Sequence, residues 1–207
     1  GMGYPASADA RQYSVKKPSE QPLSKYAESA NQLILVGTTL RSIQPFMDFL
    51  RSKAREGTHL TFLLVDEDLF EGDDSLLEQV ARRHDRARDD VLAQLRQTTR
   101  QLATLQHEFP SNVSVIKLRV LPSFGLTIVD PFTRAAKMRI SLYMYQYPAE
   151  CNLALHIQPS TSESEAIFSR FMAHYNRLVV EAKRARTAGG LQSALDLTSE
   201  MEPAAVS

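Results

Sequence analysis

The chain has 207 residues, of which 43% are hydrophobic and 23% charged, an ordinary balance that excludes a disordered chain. Its 24 Lys and Arg residues equal its 24 Asp and Glu residues, so net charge gives no reason to expect a nucleic-acid or anionic-membrane partner. No apolar run reaches the ~18 residues that a membrane helix needs. The single cysteine, Cys151, cannot form an internal disulfide, and this favours a reducing compartment. We therefore expect a cytoplasmic protein without a membrane partner.

The two ends differ in composition from the rest of the chain. Residues 1–22 contain three prolines and no periodicity, which predicts a flexible leader. Gly189 and Gly190 are expected to end a helix, so residues 187–207 are predicted to be a flexible tail. One domain is expected between them, over residues 23–186.

Within this domain, apolar runs and helical repeats alternate. Strands are predicted at 32–37, 59–65, 113–121, 124–129, 137–145 and 153–157, and helices at about 43–56, 74–108 and 163–186. The first two strands flank a helix, so they are expected to be parallel with a right-handed crossover. This order predicts an α/β fold, a mixed β-sheet flanked by helices, with one long helix at 74–108.

Two segments resemble a known family. The strand Leu33-Ile-Leu-Val-Gly-Thr-Thr-Leu40 precedes a helix and a second strand that ends in an acidic turn. The segment Pro122-Ser-Phe-Gly-Leu-Thr-Ile-Val-Asp130 precedes a strand rich in Tyr. Over roughly residues 25–185 this layout resembles the phospholipase D-like superfamily, and within it the bacterial single-copy domains.

The catalytic motif of that family is His-x-Lys, four further residues and Asp. Alignment on Asp130 places Ser123 at the histidine and Gly125 at the lysine. In the active family the histidine attacks phosphorus and the lysine neutralises phosphate charge. The resemblance therefore implies a degenerate site in which the phosphohistidine route is closed. It also implies a homodimer, because single-motif members of the family pair across their active sites.

Other candidate ligand-binding residues follow the first two strands. Ligands of α/β sheets collect at the carboxyl ends of strands, and a charged Arg41 could clamp a phosphate or carboxylate. The candidate ligand-binding residues are Thr38, Thr39, Arg41, Asp66, Ser123 and Asp130. We expect all of them except Thr39 to come together at one end of the sheet. Two plainer interpretations remain open. Asp130 could be a turn residue ahead of Pro131, and the segment around Arg41 an ordinary capping turn.

Metal, cofactor and nucleic-acid patterns are weak. The acidic turn over 66–74 lacks the spacing of a calcium loop, and the five histidines lack that of a zinc helix, so we expect no metal and no cofactor. Acids alternate with Arg82, Arg83, Arg86 and Arg88, which indicates an ion-paired surface and no nucleic-acid partner. A further set could line a pocket or face water: Tyr143, Tyr145 and Tyr147.

These observations favour a non-catalytic ligand-sensing or interaction module that binds a small anionic or nucleotide-like ligand in a degenerate phosphodiesterase site. The alternatives are a phosphodiesterase or nuclease with a non-standard catalytic set, and a structural dimerisation domain. An enzyme needs a histidine within reach of a nucleophile. A sensor needs a pocket with convergent polar groups, and a structural domain has a filled site.

Overall fold

A computed structural model describes residues 13–16, 21–70, 74–143 and 153–199, without the side chains of 13–16, 186 and 188–199. Tyr145, Tyr147 and Cys151 lie outside these ranges, as does most of the predicted leader. Every helix within them is too short or too polar to cross a bilayer.

One sheet of seven strands, in the order β1-β7-β6-β5-β2-β3-β4, organises the described residues. The strands are β1 Tyr13–Lys16, β2 Gln32–Val36, β3 His59–Val65, β4 Val113–Leu118, β5 Phe124–Val129, β6 Lys137–Leu142 and β7 Ala154–Ile157. β2, β3 and β4 are parallel, whereas β5, β6, β7 and β1 pair antiparallel. The predicted mixed α/β sheet flanked by helices is confirmed.

Helices cover both faces of this sheet. They are α1 Leu23–Tyr26, α2 Met47–Arg55, α3 Asp74–Arg83, α4 Arg88–Glu108 and α5 Ser162–Ser199, with 3₁₀ turns at Arg41–Phe46 and Glu67–Phe70. Side chains alternate along a strand, so Leu35 and Phe62 face α1 to α4, while Ile34 and Leu63 face α5. The central strands thus contribute to two apolar clusters, one on each face.

The predicted continuous helix over 74–108 is wrong, because it is divided into α3 and α4. Asp85 adopts a left-handed conformation with φ of 51°. The Arg86 N–H donates to the Ala81 carbonyl at 2.9 Å, and the Asp85 N–H donates to the Arg82 carbonyl at 3.3 Å. This pair of bonds is the Schellman motif, which ends a helix. The 21-residue α4 still provides the long helix expected of the fold.

Two further elements differ from the sequence prediction. β1 was not predicted, and it pairs antiparallel with β7 at the edge of the sheet. The predicted end of the last helix near residue 186 is wrong, since α5 continues through Gly189 and Gly190 to Ser199. Each helical glycine costs about 1 kcal/mol relative to alanine, which is too little to end a helix without a capping motif.

Candidate functional site

Asp130 lies at the opposite end of the sheet from the other predicted site residues. β5 runs antiparallel to β2, so Val129 pairs with Leu33 at the beginning of β2. The buried Asp130 carboxylate accepts hydrogen bonds from the backbone N–H groups of Asn31 at 2.9 Å and Gln32 at 2.7 Å. The expected convergence of Asp130 with Thr38, Arg41, Asp66 and Ser123 is therefore wrong, because the strand that carries Asp130 runs the other way.

The remaining five predicted residues share the edge where the parallel strands end. Thr38 follows β2, Asp66 follows β3, and Ser123 precedes the antiparallel β5. The Thr38 carbonyl accepts the Val65 N–H at 3.1 Å, which fixes these strand ends together. Thr38 is buried, whereas Ser123 is exposed.

Arg41 begins the 3₁₀ turn that follows Thr38 and Thr39. Its backbone N–H donates to Thr39 Oγ1 at 3.4 Å, and its side chain is half-buried. In the part of the chain that the structure describes, Arg41 forms no ion pair with a carboxylate. Its guanidinium is therefore available to an anion at this edge.

Tyr143 occupies the space beside Gly37 and Gly125. Its side chain is partly buried, and its hydroxyl accepts the Thr38 backbone N–H at 3.4 Å. A Cβ atom built on either Gly37 or Gly125 would lie 3.3 Å from that hydroxyl. The phenol thus fits because both neighbouring positions are glycine, and it fills the volume next to Gly125.

Residues at the end of α3 close over Tyr143. The His84 ring meets the Tyr143 ring edge-on with centroids 5.3 Å apart, and the Arg83 guanidinium carbon lies 5.8 Å from the Tyr143 centroid. Arg83 also donates to the Pro122 carbonyl at 3.3 Å. Arg83 was predicted to lie on an ion-paired surface, and His84 was not predicted to be a site residue. The helix break at Asp85 brings Arg83 and His84 to this position. No glycine marks this break in the sequence.

The electrostatics of this cluster follow from its burial. Burial lowers the pKa of His84 to about 4, and the positive charges of Arg83 and Arg86 contribute. Burial also raises the pKa of Tyr143. Both rings are therefore neutral near neutral pH. Among the described residues, His84 Nε2 and Thr38 Oγ1 are buried without a hydrogen-bond partner.

Acid–base chemistry has little basis in this arrangement. A serine nucleophile needs a base within hydrogen-bond reach. Ser123 is exposed, and none of the histidines within the described ranges forms a hydrogen bond with it. The same ranges contain no group of three or more His, Cys, Asp or Glu side chains able to hold a metal ion.

The arginine-rich end of α3 is only partly the predicted ion-paired surface. Arg82 Nε pairs with Glu78 at 2.8 Å, and Arg88 pairs with Asp74. Arg83 points inward to Tyr143 instead. Asp66 also borders a groove between β4 and α5 with a volume of about 730 Å³.

No protein-family model and no curated protein matches the chain. A solved structure of TrmBL2, an archaeal chromatin protein described as showing a novel mode of DNA binding, is similar with a TM-score of 0.48 and 12% sequence identity. The match covers 83% of this chain and 55% of that chain, so this chain spans about half the length of its neighbour. The expectation of no nucleic-acid partner is contradicted, because TrmBL2 is described as binding DNA. The similarity is too low to assign DNA binding here.

Proposed function

We propose that this domain is a non-catalytic ligand-binding or interaction module with a phospholipase D-like layout. Its ligand is a small anion held where β2 and β3 end. The observation that carries the proposal is the position of the Tyr143 hydroxyl, against both Gly37 and Gly125. A neutral phenol replaces the cationic lysine of the resembled family at this point. The site therefore retains polar surface without the charge that promotes phosphoryl transfer.

Hydrogen-bond donors support an anionic ligand. The Thr38 N–H makes only a long 3.4 Å bond to the Tyr143 hydroxyl. Arg41 adds a planar guanidinium whose N–H donors suit a phosphate or carboxylate. Asp66 is the opposing carboxylate at this edge, which favours a ligand close to Arg41 and away from β3.

A structural dimerisation domain is the second candidate, and the same Tyr143 favours it. A side chain that fills the cleft stabilises the fold by burying apolar surface whether or not a ligand exists. Homodimer formation, expected from the family resemblance, stays a prediction. The two candidates differ in whether Arg41 binds anything.

Titration calorimetry with inorganic phosphate and with adenosine monophosphate tests the proposal. We expect weak binding to the unmodified chain. Arg41→Ala should lower the affinity by roughly 1.5–3 kcal/mol, the value of a hydrogen bond to a charged group. Arg55→Ala, which removes an exposed arginine on α2, is the matched control and should change nothing. Equal binding by all three proteins would reject the site, and no binding by any would favour the structural candidate.

Hydrolysis of bis-p-nitrophenyl phosphate tests the non-catalytic part separately. We expect no turnover, because Ser123 has no base and Gly125 has no charge. Turnover that disappears in a His84→Ala variant would revive the phosphodiesterase alternative. A His156→Ala variant serves as control, because His156 lies in the middle of β7 and packs edge-on against Tyr26.

The cytoplasm is the proposed location. Its support is compositional: the chain of 207 residues has one cysteine, which suits a reducing compartment. Fractionation of cells that express the chain would test this, and recovery outside the cytoplasmic fraction would contradict it.

A further inference from the structure

A groove with a volume of about 730 Å³ runs along β4, which is an edge strand of the sheet. Its opposite wall is the α5 segment over 182–187. Small-molecule sites in proteins usually have volumes of about 300–1,000 Å³. The groove therefore has the size of a small-molecule site, and it shares only Asp66 with the residues discussed above.

Cations dominate the charged lining of the groove. Lys117 comes from β4, Arg119 follows that strand, and Lys183 comes from α5, against the single carboxylate of Asp66. Arg119 and Lys183 are exposed and form no ion pair within the part of the chain that the structure describes. Arg119 and Lys183 are therefore the two exposed cations of the lining, and they favour an anionic ligand beside them.

Lys117 is already committed to a protein partner. Its Nζ donates to Thr99 Oγ1 at 2.7 Å, and burial lowers the pKa of this lysine against the opposing effects of Asp66, Glu67 and Asp68. Lys117 therefore contributes electrostatic attraction and makes no direct hydrogen bond to a ligand. Arg119 and Lys183 are the groups free to hold a ligand's anionic head.

The remaining lining is apolar except for Thr187, whose hydroxyl donates to the Lys183 carbonyl at 3.1 Å. Ile116 from β4 and Ala185 from α5 face the same space, and both are partly buried. Alanine on the helix side leaves room that a longer side chain would occupy. An apolar ligand body would remove this surface from water, with a gain of about 25 cal/mol per Å².

We propose that this groove binds a small amphipathic anion, with an apolar body against Ile116 and Ala185 and an anionic head between Arg119 and Lys183. The proposal goes beyond the edge site at Thr38 and Arg41 and does not depend on it. It identifies the ligand by chemistry alone: one carboxylate, sulfonate or phosphate group on an aromatic or alkyl body.

A matched pair of fluorescent probes tests both halves of the proposal. The anion is 8-anilinonaphthalene-1-sulfonate, and the neutral counterpart is N-phenyl-1-naphthylamine, which has the same rings without the sulfonate. Fluorescence titration of the folded chain should give one site, with the anion bound about tenfold tighter or more because its head makes charge-assisted contacts. Equal affinity for both probes would overturn the anionic part of the proposal.

Variants then locate the probe. Arg119→Glu and Lys183→Glu should each weaken the anion about tenfold and leave the neutral probe almost unchanged, because only the head is affected. Ala185→Phe should weaken both probes by filling the space. The matched control is Arg184→Glu, which makes the same charge change at the next position of α5, where Arg184 pairs with Glu181.

Three results would overturn the groove site. The first is that neither Arg119→Glu nor Lys183→Glu changes binding of the anion. The second is that Arg184→Glu weakens the anion as much as those two variants do. The third is that both probes bind the Ala185→Phe variant as tightly as the unmodified chain. Circular dichroism verifies that each variant folds. The two charge variants alter exposed side chains, so these variants remain informative even if Ala185→Phe fails to fold. Arg41→Ala should leave the probes unaffected, so failure at the edge site is distinguishable from failure here.

Discussion

The carboxylate of Asp130 connects the end of β5 to the beginning of β2 through two backbone amides. Asp130→Ala leaves two partly buried N–H groups without an acceptor and places an alanine at φ of 47°, where its side chain cannot form the local hydrogen bonds that aspartate makes. We expect the free energy of unfolding to fall by about 2–4 kcal/mol, from the lost bonds and the left-handed backbone. Urea denaturation measures this change.

Asp130→Asn is the control for that prediction. Asparagine keeps an acceptor oxygen and tolerates the left-handed region, so it should lose clearly less stability than alanine. An Asp130→Ala variant as stable as the unmodified chain would contradict the structural role. Neither variant should change binding at the carboxyl ends of β2 and β3, because Asp130 lies at the other end of the sheet.

His84 predicts a pH-dependent stability. The unfolded state binds a proton near the ordinary histidine pKa of about 6.5, whereas the folded state resists protonation until about pH 4. Stability is therefore at its maximum above pH 6.5 and is lost as pH falls from 6.5 to 4. The ring retains some solvent contact, so we expect a loss of about 1–3 kcal/mol over this range.

The measurement is a difference between two proteins, since carboxylates also titrate at low pH. His84→Phe keeps the edge-on contact with Tyr143 and removes the titrating group. The unmodified chain should lose more stability between pH 6.5 and 5 than this variant does. Parallel pH profiles of the two proteins would show that His84 does not supply the expected dependence.

Residue-level prediction from sequence succeeded where only strand direction mattered. Thr38 and Asp66 share an edge because a helical crossover makes their strands parallel. Asp130 required the direction of β5, which a short connection from β4 does not fix. Tyr143 required knowing that two glycines face it from different strands, a long-range contact that local periodicity does not contain.

At the scale of elements, the junction between α3 and α4 determines what covers the edge site. Asp85 holds the left-handed position of the Schellman motif, for which glycine is preferred. Asp85→Gly should therefore raise the free energy of unfolding by about 0.5–1 kcal/mol, whereas Asp85→Val should lower it by about 1–2 kcal/mol. Thermal unfolding of the two variants checks the sign of each change.

A continuous helix through residue 85 would give the opposite result. Glycine would then destabilise the chain and valine would cost little, as they do inside helices. The apolar stripe continues across the junction, with Val80 and Val91 both buried in one cluster. This continuity explains why helical periodicity alone predicted one helix, since it reports the buried face and not the capping geometry.

At the scale of the whole molecule, the two apolar clusters are joined by shared strands. Adjacent residues of β2 and of β3 face opposite sides, so neither cluster can lose its packing without disturbing the same strands. This interdependence indicates one cooperative unit. The sequence did not predict the division of the long helix at Asp85, but the apolar strands that join the clusters were all predicted.

Substitutions on opposite faces should therefore shift the same single transition. Leu102 of α4 and Met138 of β6 are each fully buried, in different clusters. Leu102→Ala and Met138→Ala should each lower the free energy of unfolding by about 2–5 kcal/mol through lost packing and cavity formation. Val180→Ala, at a position 45% exposed, should change the free energy of unfolding by no more than about 0.5 kcal/mol.

Far-ultraviolet circular dichroism and tyrosine fluorescence should report coincident urea transitions for all three variants. Tyrosine is the fluorophore because the chain has no tryptophan. Transitions that separate in one variant would show that the faces unfold independently, because a cooperative unit loses both clusters together.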